Sequence, residues 1–443
     1  YADRYLFQAN VRHDGSSRFA KGYRWGTFPS FSAGWVASEE KFMKNLKWDW
    51  LSFLKLRGSW GMLGNERIGS NYFPYIALMS FGNSLFYMAD GSVVSDKTAR
   101  PAVLAVEDIT WETTTSTDLG LDVNFLNNRL QFHFDYYWKE TKDMLLNIEI
   151  PYFMGYNNPS TNAGKMSTHG YDIEVAWNDQ IGDFKYGVNV NFSDFLSKID
   201  YMNDGEQISG GKIKRAGVLF NEFYGYVCEG IYQTQEEVNN SARTSTTVTV
   251  GDLKYRDISG PDGVPDGVIS PEYDRVPLGN SLPRFQYGGS LNASYKGIDF
   301  SLAFQGIGKQ NSYLSTSMVQ PLRDNYGNVP AILEGKYWSP FNTTEENLAA
   351  KYPRLSNVSK SNNYATSNFW MFNGSYFRLK NITLGYTLPK SWTQKAGINR
   401  ARFYVSGSDL FCLSNFPSGW DPEMGTSDYP ITTSLVMGIQ VNF

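Results

Sequence analysis

The stretch DLGLDVNFLNNRLQFHFDYYW (residues 118–138) decides the fold. Its first part alternates leucine, valine and phenylalanine with aspartate, glycine and asparagine. Its second part alternates leucine and aromatic residues with glutamine, histidine and aspartate. Because successive side chains of a β-strand point to opposite faces of a sheet, each part predicts a strand with one apolar and one polar face. The short connection NN (127–128) joins the two strands.

The same period of two recurs along the chain, which predicts an all-β fold. Helical periodicity of comparable length is absent from the sequence, and EEKFMKNL (39–46) predicts at most one short helix. The clearest strands are predicted at 118–125, 130–138, 171–177, 186–192, 285–295 and 298–304. LKLRGSWGM (54–62), NITLGYTL (381–388) and the final SLVMGIQVNF (434–443) follow the same pattern.

The connections between these strands are of two kinds. NN, NDQIGD (178–183) and KG (296–297) are short, whereas 62–115, 200–283 and 311–375 are very long. Long structureless loops are uncommon in compact domains. Short turns at one end and long loops at the other are typical of outer-membrane β-barrels. Aromatic residues beside the short turns suit a girdle at the membrane interface; they are Phe125, Trp177, Tyr186, Tyr295 and Phe300.

We therefore predict a transmembrane antiparallel β-barrel with long extracellular loops, short periplasmic turns and an apolar face toward lipid. The alternative is a set of soluble antiparallel sandwiches, which also alternate. Counting the alternation gives about twelve strands and places the C-terminus in the periplasm. Tyr1 already lies in a strand pattern, with no Met start before it. We expect the chain to be the C-terminal part of a longer protein whose other strands complete the barrel.

Composition and motifs argue against several other functions. The net charge of −4 offers no basic field for nucleic acid. Two distant cysteines give neither a disulfide framework nor a zinc spacing. The apolar runs are too short for a membrane helix. The three histidines have no metal-binding spacing and there is no Gly-x-Ser-x-Gly elbow, so we predict that the chain is not an enzyme.

Nine stretches of the sequence, in order, resemble the C-terminal half of TonB-dependent outer-membrane transporters of the SusC/RagA type. They cover nearly the whole chain: SSRFAKGYRWGTFPSFSAGW (16–35), LKLRGSWGMLGNERIG (54–69), WETTTSTDLGLDVNFLNNRL (111–130), DYYWKETKDMLL (135–146), NAGKMSTHGYDIEV (162–175), FYGYVCEGIYQT (223–234), GDLKYRDISGPDG (251–263), YFRLKNITLGYTLP (376–389) and YVSGSDLF with GWDPE (404–423).

The resemblance implies a 22-stranded barrel, of which this chain supplies the last strands, with an N-terminal plug and TonB box before Tyr1. It also implies a lid lipoprotein of the SusD kind and TonB-driven import of oligosaccharides or peptides. The expected location is the outer membrane of a Gram-negative, Bacteroidetes-type bacterium. Partners are then the lipoprotein, TonB through the missing part, and membrane lipid, with no nucleic acid. A terminal aromatic on the lipid face is read by the insertion machinery in resembling barrels, which would make Phe443 an assembly signal.

DISGPDGVPDGVISPEYD (257–274) resembles the family's acidic glycine loop. We expect no cofactor for the chain, and a Ca²⁺ ion in this extracellular loop is the alternative to that expectation. Closely spaced carboxylates are suitable calcium ligands, and Asp257, Asp262 and Asp266 are the ligand candidates. Pro261 and Pro265 interrupt the calcium spacing, however, so a rigid turn on an extracellular loop is favoured over an ion site.

The long connections also carry a dense set of aromatic residues. Such platforms suit sugar rings, and they suit a protein interface equally well. We predict that the contacts to substrate or lid involve Tyr337, Trp338, Trp370 and Trp420, with Tyr326, Tyr364 and Phe372 in the same set. We also expect the long loops to need a partner to order them, because they have little apolar surface of their own.

Two functions remain open at this point. The first is an active importer energised through TonB. The alternative is a passive porin or a structural or adhesive outer-membrane protein without energy coupling. A plug and TonB box upstream of Tyr1 would decide for the importer, and the sequence does not separate glycan from peptide.

Overall fold

The structure is a computed structural model. It describes residues 1–46, 48–67, 72–203, 205–314, 316–322, 327–356, 358–425 and 429–443. Among these residues no helix is long and apolar enough to cross a membrane.

Strands make up most of the secondary structure. In chain order they are β1 (Tyr5–Gly15), β2 (Trp25–Val36), β3 (Leu51–Asn65), β4 (Leu78–Tyr87), β5 (Val93–Val103), β6 (Glu112–Phe125), β7 (Leu130–Asn147), β8 (Ser160–Ile181), β9 (Phe184–Met202), β10 (Glu206–Ser209), β11 (Lys212–Arg215), β12 (Glu222–Tyr226), β13 (Cys228–Ile231), β14 (Leu253–Tyr255), β15 (Arg275–Asn280), β16 (Arg284–Tyr295), β17 (Ile298–Lys309), β18 (Asn311–Tyr313), β19 (Met371–Asn373), β20 (Tyr376–Thr387), β21 (Arg400–Ser414) and β22 (Ser434–Asn442).

The helices are short. The α-helices are α1 (Lys41–Asn45), α2 (Gln235–Asn239), α3 (Thr316–Val319), α4 (Thr344–Leu348), α5 (Lys360–Asn363) and α6 (Lys390–Thr393). Single 3₁₀ turns lie at Ala37–Glu39, Tyr152–Met154, Ala331–Leu333, Asn368–Trp370 and Gln394–Ala396. The short helix predicted within 39–46 is α1.

Twelve strands form one sheet in the order β1-β2-β3-β6-β7-β8-β9-β16-β17-β20-β21-β22. Sheet neighbours follow one another along the chain, except where small hairpins and sheets are inserted into the long connections. The four-stranded sheet β10-β11-β12-β15 and the pairs β4-β5, β13-β14 and β18-β19 are such insertions. The predicted all-β fold and all six of the clearest predicted strands are confirmed.

Contacts divide the chain into two compact units. The first comprises Tyr1–Asn178, Ser193–Gln207 and Lys214–Leu219; the second comprises Asp179–Phe192, Ile208–Ile213 and Phe220–Phe443. In the first unit, Leu56, Leu121, Phe134 and Ile173 stand opposite one another across four strands. In the second, an apolar row across five strands joins Ala293, Phe300, Leu384, Val405 and Met437. The predicted apolar face is thus continuous within each unit.

The predicted bounds of the connections were wrong. β3 runs on to Asn65 and β6 begins at Glu112, with the β4–β5 hairpin between them, so 62–115 is not structureless. The connection 200–283 contains β10 to β15 and α2, and 311–375 contains β18, β19 and α3 to α5. The turn predicted over 178–183 is confined to 182–183, because β8 continues to Ile181. Polar residues form these extensions, so hydrophobic alternation does not reveal them.

Candidate functional site

The long connections of the second unit fold around an apolar core of their own. We call the described residues of 220–280 and 311–373 the loop module. Trp370 is only 2% exposed at its centre, and its ring stacks on Tyr364 with 5.5 Å between ring centroids. The buried core residues are Tyr226, Leu253, Tyr255, Ile269, Met318, Val319, Leu333 and Trp370. The prediction that these loops have little apolar surface to bury is therefore wrong.

A buried carboxylate joins the two connections. Asp252 is completely buried, and its Oδ1 accepts hydrogen bonds from Arg354 Nε at 2.7 Å and Asn363 Nδ2 at 2.9 Å. Its Oδ2 accepts from Ser359 Oγ at 2.7 Å and from the Thr249 backbone N–H at 2.9 Å. A buried charge is tolerated only with such partners. The network thus ties residues more than 100 positions apart in the sequence into one structure.

Two asparagines of α5 act as backbone partners for β14. Asn363 Oδ1 accepts the Leu253 N–H at 2.9 Å, and Asn362 Nδ2 donates to the Leu253 carbonyl at 3.0 Å. The Asn363 carbonyl also accepts the indole N–H of Trp370 at 2.8 Å. Buried backbone groups need partners, and here amide side chains supply them for a three-residue strand. Sequence analysis missed Asp252, Asn362 and Asn363, because nothing in their spacing connects them.

The partly buried Cys228 packs against this core, and its Sγ donates to the Gly230 carbonyl at 3.4 Å. Burial raises the pKa of the Cys228 thiol to about 11. The thiol is therefore protonated at neutral pH, and Cys228 packs as a small apolar residue rather than acting as a nucleophile.

Three of the four predicted contact residues lie in this module, and Trp420, which lies outside it in the sequence, packs against its core. Trp370 forms the core, and Tyr337 and Trp420 pack against it while partly exposed. Trp338 is buried nearby: its indole donates to Gln233 Oε1 at 3.2 Å. Its ring covers Gly251, where a Cβ would lie 2.3 Å from the ring and φ is +86°. A contact role for these four with substrate or lid stays a prediction; Trp370 has little surface left to offer in the chain alone.

The other aromatic residues predicted to contact substrate or lid also pack against neighbouring rings where the structure describes them. Tyr364 stacks on Trp370, and Phe372 packs edge-on against Phe416 with centroids 4.8 Å apart. Tyr326 lies outside the described residues. Aromatic density in the sequence therefore marked a folded core as well as any binding surface.

A buried ion network holds the segment that carries Trp420. Arg378 of β20, nearly fully buried, donates to Asp421 at 2.6 Å and lies 2.5 Å from Glu423. Lys380 pairs with Asp409 at 2.7 Å. Burial alone would raise the pKa of the Asp421 carboxyl, but the hydrogen bond and charge of Arg378 outweigh it, so that pKa lies below its ordinary value. The connection after β21 is thereby fixed to the polar face of the sheet.

The three predicted calcium ligands are not arranged as an ion site. Asp257 Oδ2 accepts the Gly267 N–H at 2.7 Å and Asp266 Oδ1 accepts the Val268 N–H at 2.9 Å, while Asp262 is exposed. Asp274 closes the loop by accepting three backbone N–H groups, those of Ile258, Ser259 and Ser270.

One oxygen of this loop, Asp257 Oδ1, is buried without a hydrogen-bond partner in the described structure. Calcium takes about six to eight oxygen ligands. Within the described ranges, no three His, Cys, Asp or Glu side chains are placed to hold a metal. The geometry fits a rigid turn whose backbone N–H groups are held by the Asp274 carboxylate. Calcium binding stays a prediction.

The polar face of the sheet carries its own charges. Arg57 stands in register with Gly120, Asp135 and Asp172, and its guanidinium crosses Gly120 to reach Asp135 at 2.5 and 2.6 Å. A Cβ on Gly120 would lie 2.4 Å from the guanidinium carbon. A side chain at Gly120 would therefore displace the Arg57 guanidinium from this bridge, and the face is hydrophilic over several strands.

Two parts of the chain instead leave apolar side chains uncovered. One face of the β4–β5 hairpin exposes Phe81, Leu85 and Tyr87 at 81, 71 and 85%. The second part is the C-terminus, where Phe443 is 85% exposed just beyond β22. A two-stranded hairpin is marginal by itself in water, which sets it apart from the loop module. The assembly role of Phe443 and the periplasmic position of the C-terminus stay predictions.

Comparison with known proteins agrees with this architecture. A family model described as "TonB dependent receptor-like, beta-barrel" matches residues 1–406. The chain is 30% identical to TonB-dependent receptor P3 of Formosa agariphila, covering 100% of this chain and 44% of that protein. It is 29% identical to TonB-dependent receptor SusC of Bacteroides thetaiotaomicron, covering 100% and 42%.

Among solved structures, the RagAB peptide transporter superposes with a TM-score of 0.79 at 24% identity, covering 99% of this chain and 46% of that one. At this identity the likeness shows the fold. The chain spans less than half the length of each of these relatives.

Proposed function

Because the chain belongs to the TonB-dependent receptor β-barrel family, whose members lie in the outer membrane, we propose that it forms part of an active importer of oligosaccharides or peptides. The proposed importer is energised through TonB and works with a SusD-like surface lipoprotein as its lid. The match over residues 1–406 carries this proposal. The relative named SusC and the structure titled a peptide transporter motivate the two substrate classes.

The two faces of the sheet, one apolar and one charged, support an importer. The sheet has one apolar face that suits lipid and one charged face that suits a hydrated interior, as in the Arg57 row. The loop module adds a rigid structure that can border an extracellular opening. A passive porin would share these features, so the coupling to TonB is what the experiment must test.

The test is uptake by the full-length receptor in its own bacterium. Cells with and without the receptor gene are supplied with a panel of defined oligosaccharides and peptides, in the presence and absence of a functional TonB. The proposal expects uptake of at least one oligosaccharide or peptide that requires both the receptor and TonB. Uptake that requires the receptor but not TonB would identify a passive porin. If none of the compounds is taken up in a receptor-dependent way, an import role for these oligosaccharides and peptides is contradicted.

A further inference from the structure

The apolar face of the second unit carries a groove close to the KG turn (296–297). The groove has a volume of about 730 Å³. Tyr386 of β20 stands in register between Ile298 of β17 and Phe403 of β21, so the groove begins at one end of these strands. In a face that meets lipid, van der Waals packing lets such a groove hold one acyl chain in place. The apolar residues that line it include Leu384, Tyr386, Phe403, Val405, Met437 and Ile439.

The connection between β20 and β21, residues 388–399, follows directly on the end of the strands that line the groove. It is fixed to the sheet at both of its ends. The Leu388 N–H donates to the Ala401 carbonyl at 2.9 Å, and the Asn399 N–H donates to the Asn442 carbonyl at 2.8 Å. Between these two bonds lie α6 and a single 3₁₀ turn. The short helix is therefore held at the end of the sheet, next to the groove.

This helical segment presents a tryptophan between two lysines. Trp392 is 65% exposed, and Lys390 and Lys395 are exposed on either side of it in the sequence. Among the residues that the structure describes, no carboxylate forms an ion pair with either lysine. An exposed tryptophan flanked by cations is typical of segments that lie at the level of lipid headgroups.

The charge of this connection differs from that of the connection 37–50 in the first unit. Residues 388–400 contain Lys390, Lys395 and Arg400 and no acidic residue. Residues 37–50 contain three acidic and three basic residues, which balance. A cationic segment at the edge of an apolar face attracts anionic lipid, whereas a balanced one does not.

The carboxylates at the neighbouring strand ends have cationic partners of their own. Asp299 accepts a hydrogen bond from Arg402 Nε at 2.8 Å, and Asp183 lies 4.0 Å from the Lys296 ammonium. Lys185, at the start of β9, is exposed and adds a further positive charge. These groups therefore do not neutralise the lysines of α6 and the 3₁₀ turn.

Two more charged positions lie at this end of the second unit. Asp179 of β8 is separated from β20 by three strands of the sheet, and its carboxylate accepts the Gln180 N–H. Arg400 stands in register with Asn442, beside the terminal Phe443 and its carboxylate. We therefore do not count Arg400 among the cations available to a ligand.

We infer that the groove, Trp392, Lys390 and Lys395 form a binding site for an anionic phospholipid. One acyl chain lies in the groove, the indole lies at the level of the glycerol esters, and the two ammonium groups bind the anionic headgroup. In the predicted orientation this end of the sheet meets the periplasmic leaflet, so the ligand is a phospholipid rather than a lipopolysaccharide. The inference rests on that orientation and on the apolar face meeting lipid, and it goes beyond the import proposal.

The test measures lipid binding to the full-length receptor, purified and delipidated in detergent, by native mass spectrometry. The probes are phosphatidylglycerol, phosphatidylcholine with the same acyl chains, and lipid A. Lys390→Gln with Lys395→Gln removes both charges, and the double arginine variant keeps them. Lys41→Gln with Lys44→Gln is the matched control in the charge-balanced connection. Val405→Phe narrows the groove, and the heat-modifiable band verifies that each variant is folded.

We expect phosphatidylglycerol to bind at least about tenfold more tightly than phosphatidylcholine, because each lysine near an anionic lipid contributes about fivefold. The double glutamine variant should lose this preference, whereas the double arginine variant and the control should keep it. Val405→Phe and Trp392→Ala should weaken the binding of both lipids alike, because they act on the chain and the glycerol region rather than on the charge.

Several results would overturn the inference. A wild-type receptor without preference for phosphatidylglycerol does so, as does a preference that survives in the double glutamine variant or is lost equally in the control. Unchanged binding of both lipids by Val405→Phe rules out the groove as the seat of the chain. Tighter binding of lipid A, lost in the double glutamine variant, assigns the site to lipopolysaccharide and contradicts the predicted orientation.

The import proposal is tested separately from this site. The double glutamine variant should support uptake at the wild-type rate, because none of the altered groups belongs to the proposed substrate path. Loss of the lipid preference with normal uptake is therefore the expected pair of results. A receptor that binds phosphatidylglycerol as described but imports nothing contradicts the import proposal and leaves the lipid site standing.

Discussion

The sheet and the loop module arrange the same kinds of residue in opposite ways. On the sheet, Leu384 and Met437 of the apolar face are 56 and 80% exposed, while charged Arg57 and Asp135 pair on the polar face. In the module, Trp370 is 2% exposed and the apolar residues lie inside. The difference follows from the solvent each region meets: lipid around the sheet, water around the module. An aromatic-rich composition is therefore compatible with both arrangements within one chain.

The largest effect that distinguishes the two regions is expected from tryptophan truncation. Trp370→Ala leaves a cavity in the module core and should destabilise the module by about 3–5 kcal/mol. Trp392→Ala, at a position 65% exposed within α6, should change stability by about 0.5 kcal/mol or less. Limited proteolysis of the purified receptor measures both: cleavage within 220–280 should accelerate only for Trp370→Ala. Equal cleavage of the two variants would show that the module has no functioning core.

A charge placed on each face of one strand tests the sheet. Val190→Arg puts a cation on the apolar face and should cost about 2–4 kcal/mol at mid-membrane, whereas Asn189→Arg on the polar face should cost little. The measurement is the heat-modifiable, folded band of the receptor from outer membranes. If both variants assemble equally well, the assignment of faces is wrong.

The sequence predicts the strands of the sheet better than the contacts of the loop module, and the reason is physical. Alternation over seven or more residues predicts a strand with its face, so 118–125 and 130–138 could be read directly. The polar start of β8, from Ser160, does not alternate in hydrophobicity and was missed. The module is built from elements of three to six residues, and its contacts, such as Leu253 to Asn363, join distant positions. Periodicity cannot find such contacts, and aromatic composition does not tell a buried Trp370 from an exposed Phe341.

A smaller effect is expected from removing a serine-to-aspartate hydrogen bond in two environments, one buried in the module and one exposed at the hairpin. Ser359 Oγ donates to the buried Asp252 at 2.7 Å, and Ser92 Oγ donates to Asp90 at 2.7 Å at the exposed end of the β4–β5 hairpin. Ser359→Ala should weaken the module by about 1.5–3 kcal/mol, because the carboxylate loses a charge-assisted partner away from water. Ser92→Ala should have an effect below about 0.5 kcal/mol. Opening free energies from amide exchange of Thr249 and Ser92 give the comparison, and similar values for both would contradict a buried network.

The central claim, that the loop module is held by its own core rather than by a partner, is tested most directly by hydrogen exchange on the full-length receptor without lipoprotein. The Leu253 N–H donates to Asn363 Oδ1 and the Tyr226 N–H to the Thr366 carbonyl, both inside the module. We predict that these amides exchange about as slowly as that of Leu384 in β20, and far more slowly than the amides of the β4–β5 hairpin. Exchange in the module as fast as in the hairpin, with protection appearing only when lipoprotein is added, would contradict the claim.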